Sequence, residues 1–129
     1  MRTLSRWQDK FGEWRKNRRR VIRNTLTHDT LRLLVTTAWN DGSESSLCVN
    51  WRDVTDVSAY KRDLLTTDLI CFAISTAEQA IEIHEEMQGW QALIEALPTY
   101  LPGMPEQTQW FNTVALPPFA TNVTKLFSR

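Results

Sequence analysis

The stretch Leu69-Ile70-Cys71-Phe72-Ala73-Ile74, then Ser75-Thr76-Ala77-Glu78-Gln79, then Ala80-Ile81-Glu82-Ile83-His84-Glu85 decides the fold. Two short apolar runs around a polar break predict a β-hairpin. The first run is apolar at every position, which suits a central strand covered on both faces. The second alternates Ile81 and Ile83 with Glu82 and His84, which suits a strand with one wet face. A helix should follow over 89–97, because Trp90, Leu93, Ile94 and Leu97 recur at helical spacing and form one stripe that can close over the sheet. Gly89 loosens the turn into it, and Pro98 should end it.

Upstream, residues 31–39 are rich in β-branched and apolar side chains, and Asn40-Asp41-Gly42 supplies a hairpin turn into the run 45–50. A short turn at Arg52-Asp53 leads to a strand over 54–61. The expectation is an α+β domain: one antiparallel sheet of about five strands (residues 30–86) closed by the helix at 89–97. An amphipathic N-terminal helix (1–24) precedes it, and a helical then irregular extension (102–129) wraps it. A chain of 129 residues makes one domain that buries roughly two thirds of its unfolded surface, so no staple is needed. Cys48 and Cys71 both lie in strand-like runs and read as buried free thiols, as in a reducing compartment. No apolar run approaches about 18 residues and no signal core is present, so a cytoplasmic setting is expected.

Net charge is zero, but residues 1–24 hold nine Lys/Arg against two acids, leaving six against thirteen in the rest. That asymmetry either folds the N-terminal element onto an acidic face or presents it to an anionic partner. Trp7, Phe11 and Trp14 share one helical face, followed by Arg15, Lys16, Arg18, Arg19, Arg20 and Arg23. Aromatic residues and arginine are the types enriched at binding hot spots, so Trp7, Phe11, Trp14, Arg15, Arg18, Arg19 and Arg20 are the expected interaction surface.

Chemistry-bearing motifs are sparse. His84-Glu85-Glu86-Met87-Gln88 approaches a zinc signature but has Gln88 where the second histidine belongs. The four glycines stand singly, so neither a phosphate loop nor a nucleophile elbow is encoded, and no cofactor or metal is expected. Asp63, Asp68, Glu82, Glu85 and Glu86 form either a solvated rim or, if gathered, a paired-carboxylate site. Lys61 and Arg62 beside Asp63 read as an ion-pair cluster at a strand end.

The antiparallel strands, the run Val49-Asn50-Trp51-Arg52-Asp53-Val54-Thr55-Asp56-Val57, the hairpin and the closing helix with its inward aromatic together resemble a bacterial pleckstrin-homology-like (GRAM-like) domain over about residues 30–101. The resemblance implies a scaffold that binds proteins or lipids and does no chemistry. The first expectation is therefore a non-catalytic protein-protein interaction domain, its N-terminal helix contacting a protein partner or its own copy in a homodimer. The second is a peripheral binder of anionic membrane or nucleic acid through residues 15–23. The third is a hydrolase built on Asp63, Glu85 and Glu86.

Overall fold

The computed structural model describes residues 20–116 and 123–129, and the expected N-terminal helix lies outside these up to residue 19. In chain order the elements are β1 (Val21–His28), β2 (Arg32–Trp39), β3 (Glu44–Asn50), a 3-10 turn (Trp51–Asp53), β4 (Val54–Asp63), β5 (Asp68–Thr76), β6 (Ala80–His84), α1 (Trp90–Tyr100), α2 (Gln107–Ala115) and β7 (Thr124–Ser128). The α+β class holds. The single sheet does not: the strands form a three-stranded sheet, β1-β2-β3, and a four-stranded sheet, β6-β5-β4-β7, every pairing antiparallel.

The break between the sheets has a local cause. Trp51 is buried, stacks on Tyr100 with ring centroids 5.1 Å apart, and donates its indole N–H to the Asp29 carbonyl at 2.9 Å. The 3-10 turn that carries Trp51 takes the chain out of line after β3, so β4 starts a second sheet instead of pairing with β3.

The hairpin of β5 and β6 stands as its pattern predicts. Ile70, Phe72 and Ile74 belong to the core cluster, Cys71 is buried on the opposite face, and Ile81 and Ile83 are buried while Glu82 is exposed. Phe72 is the centre of the core, with the rings of Trp90 and Trp110 edge-on to it at 5.0 and 5.1 Å. Both helices thus cover one face of the four-stranded sheet.

Four further expectations are corrected. Val21–Arg23 are not the end of a helix but the start of β1, an edge strand whose only buried residue is Leu26 and whose sequence accordingly shows no clear alternation. Pro98 lies inside α1, which runs two residues further because losing one N–H this near the end costs a single bond. The tail is not irregular throughout, because β7 pairs with β4 and buries Leu126 and Phe127. Cys48 is exposed, since β3 shows that face to solvent; only Cys71 is buried.

Candidate interaction surface

Of the seven residues expected to form the interaction surface, Arg20 alone lies among the described residues; Trp7, Phe11, Trp14, Arg15, Arg18 and Arg19 lie outside them. Arg20 is pinned to the turn between β2 and β3. Its N–H donates to Asn40 Oδ1 at 3.0 Å, and its carbonyl accepts from the Asn40 N–H at 2.9 Å. Arg20 is therefore held at a fixed point where β1 begins.

Directly after it, Val21, Ile22 and Arg23 are exposed, Ile22 at 65 % of its surface. A register shift between Val21 and Arg23 places a bulge at Ile22, a device that re-aims side chains at sheet edges. The first half of β1 forms one wall of an open cleft of about 460 Å³, whose other wall is His84, Glu86, Met87 and Gln88.

That second wall is held by backbone bonds from both sheets. Glu85 N–H donates to the Ile70 carbonyl at 3.0 Å, and Glu85 Oε1 accepts from the Ile70 N–H at 3.0 Å, tying the segment to β5. Three residues on, Leu26 N–H donates to the Gln88 carbonyl at 2.7 Å and Gln88 N–H to the Asn24 carbonyl at 3.0 Å, tying it to β1. Gly89 completes the crossing in the left-handed region (φ +91°), where an added Cβ would sit 2.3 Å from the Leu26 carbonyl oxygen. The glycine thus does more than loosen a turn: it lets two backbones touch.

The acids are not gathered. Asp63 Oδ1 accepts from the Leu65 N–H at 2.8 Å, Asp68 pairs with Lys61 at 3.3 Å, Glu82 pairs with Arg62 at 2.8 Å, and Glu86 lines the cleft. Among the described residues no group of three His, Cys, Asp or Glu is placed to hold a metal ion. The ion pairs at the end of β4 follow the sequence reading of Lys61 and Arg62. Unforeseen is that Lys61 is buried and also donates from Nζ to the Ala115 carbonyl at 2.7 Å, pinning the end of α2 to β4.

Sequence reasoning missed the cluster of Tyr60, Arg62 and Glu82. Tyr60 and Arg62 alternate onto one face of β4, and both reach Glu82 on β6, Tyr60 through its hydroxyl. Burial and then the Glu82 carboxylate push the phenol well above its ordinary range, so it stays a hydrogen-bond donor. Burial likewise pushes the Cys71 thiol up to about 11, away from thiolate chemistry. His28 closes β1 rather than sitting in a loop, and its Nδ1 lies 2.7 Å from the Tyr100 hydroxyl. Among the described residues no helix is long and apolar enough to cross a membrane. No family model, curated protein or solved structure matches the chain.

Proposed function

We propose that the chain is a non-catalytic protein-interaction domain, whose recognition surface joins the aromatic and basic N-terminal segment (Trp7, Phe11, Trp14, Arg15, Arg18, Arg19, Arg20) to the exposed start of β1. The observation that carries this reading is the anchorage of Arg20 to Asn40 immediately before exposed Val21 and Ile22, at the mouth of the open cleft. Apolar side chains left in solvent beside a basic run suit a macromolecular surface better than an enclosed substrate site. The two antiparallel sheets with α1 over one of them are what speaks for the likeness to pleckstrin-homology-like domains; six strands precede the helices, and β7, which follows them, lies outside that pattern.

The test is carried out on the full chain and on its Trp7→Ala/Trp14→Ala variant. Sedimentation measures self-association, and titrations measure binding to a short duplex DNA and to anionic vesicles, at about 0.1 M and about 1 M salt. An interaction surface driven by apolar burial gives association that survives high salt and weakens in the aromatic variant, over and above any dimer that the variant retains through another surface. Binding to DNA or vesicles that collapses with salt, and is lost instead in Arg18→Ser/Arg19→Ser, replaces this reading with that of an anionic-surface binder.

A further inference from the structure

A second edge of the molecule carries an inference that does not rest on the N-terminal segment. β3 pairs with β2 on one side, and among the described residues no strand joins its other side. The hairpin geometry determines which backbone groups that leaves over. Trp39 N–H donates to the Ser43 carbonyl at 2.9 Å and Gly42 N–H to the Trp39 carbonyl at 3.1 Å. Trp39 and Ser43 are thus a hydrogen-bonded pair. Stepping two residues at a time along the register, so are Thr37 with Ser45, Val35 with Leu47, and Leu33 with Val49. The bond from Trp51 N–H to the Leu31 carbonyl at the far end has the same phase. Glu44, Ser46, Cys48 and Asn50 therefore direct their N–H and C=O groups outward, and no described residue bonds to that row.

Exposed edges are usually blunted by lysine, proline, a bulge or a covering loop. β3 has no lysine, proline or bulge, and among the described residues only the β5–β6 turn, Thr76–Gln79, approaches it, sharing an open cleft with its Cys48–Asn50 end. Its sequence, Glu44-Ser45-Ser46-Leu47-Cys48-Val49-Asn50, contains no lysine or proline, its register with β2 is unbroken, and residues 44–48 are exposed. Its single charge stands at one end.

We propose that β3 is a self-association edge, through which two copies of this chain pair their β3 strands antiparallel about a two-fold axis at Leu47. The register follows from the phase just derived. With Leu47 opposite the partner's Leu47, Ser46 faces the partner's Cys48 and Glu44 faces the partner's Asn50. All of these are outward residues, so each pair exchanges two backbone bonds. Leu47, 39 % exposed in the single chain, falls in a non-hydrogen-bonded pair, where side chains lie closest, and is covered by its own copy beside half-buried Val35. The one charge on each strand meets an amide, whereas a parallel pairing in register would set two Glu44 carboxylates side by side. A strand that complements itself in this way fits a two-fold contact, and the two three-stranded sheets become one continuous sheet.

The test uses the full chain with one cysteine moved. In Leu47→Cys/Cys48→Ser the two thiols face each other across a non-hydrogen-bonded pair, and mild oxidation links the chains into a covalent dimer. In Ser45→Cys/Cys48→Ser the thiol faces the partner's Val49, and linkage falls at least about tenfold. Cys48→Pro removes an outward donor while sparing the ladder to β2, and the solution mass drops to that of one chain. Should that variant not fold, Ser46→Lys on the solvent face gives the same readout. The proposal is overturned if the full chain is monomeric at every concentration. It is equally overturned if position 45 links as readily as position 47, or if a folded Cys48→Pro or Ser46→Lys variant keeps the dimer mass. A dimer lost in Trp7→Ala/Trp14→Ala but kept in the edge variants assigns association to the N-terminal segment instead.

Discussion

Gly89 stands where the segment after β6 is tied to β1. Gly89→Ala would bring a Cβ within 2.3 Å of the Leu26 carbonyl and force an unfavourable positive φ, so we expect a loss of roughly 2–4 kcal/mol in urea unfolding. Leu65 shows the opposite case: it holds φ +73° and is 90 % exposed, so Leu65→Gly relieves strain of about 1 kcal/mol at no packing cost, and the urea midpoint rises. The cysteines separate by reagent. At mildly alkaline pH an alkylating agent takes Cys48 at once and Cys71 only as the chain unfolds. Cys71 also sets an alkaline limit. Its thiol titrates near 9.0 in the unfolded chain and about 11 in the fold, so above pH 9.0 the unfolded state holds fewer protons and stability falls, by up to roughly 2 kcal/mol. In Cys71→Ala that part of the decline is absent and the part belonging to Tyr60 remains, which a pH series of urea melts resolves.

At the scale of elements, the strands with a continuous or alternating apolar pattern were legible. β5, β6 and the Asn40-Asp41-Gly42 hairpin stand where their residues predict, since their burial is decided by neighbours close in sequence. β1 and β7 were not legible, β1 because it shows almost no apolar alternation although it pairs with its sequence neighbour β2, and β7 because its partner is far away in sequence. β1 buries only Leu26 and takes its bonds from β2 and from Gln88, while β7 is called into the sheet by β4, some seventy residues away. The sheet β7 completes gives a quantitative expectation: deleting residues 124–129 exposes the sites of Leu126 and Phe127, at about 1.5–3 kcal/mol each, and removes the Arg129 bond to the Trp51 carbonyl. A full-length chain and this truncation compared by thermal melting should differ by more than any single surface substitution. Pro98 is the second element-scale check. Pro98→Ala restores one bond within α1 and should raise the melting temperature by a few degrees.

At the scale of the whole molecule, the described residues form two sheets, with one face of the four-stranded sheet covered by helices and with edge strands β1, β3, β6 and β7; the start of β1 and the outer edge of β3 are the margins that bear on association. The first margin was not legible, since residues 21–23 read as the end of a basic helix, and of the expected surface residues only Arg20 lies among the described residues. The second was not, because whether a strand is an edge depends on where the 3-10 turn sends the chain after Asn50, and nothing local in Glu44–Asn50 records that. Acids that the sequence lists close together instead diverge onto separate partners, as strand geometry sends alternate side chains to opposite faces. Both proposed surfaces act through association, and the most direct measurement is the solution mass of the full chain by sedimentation over a wide concentration range at about 1 M salt. The predicted result is a mass that climbs from that of the 15.0 kDa chain towards twice that value. A mass that stays at 15.0 kDa throughout would contradict it.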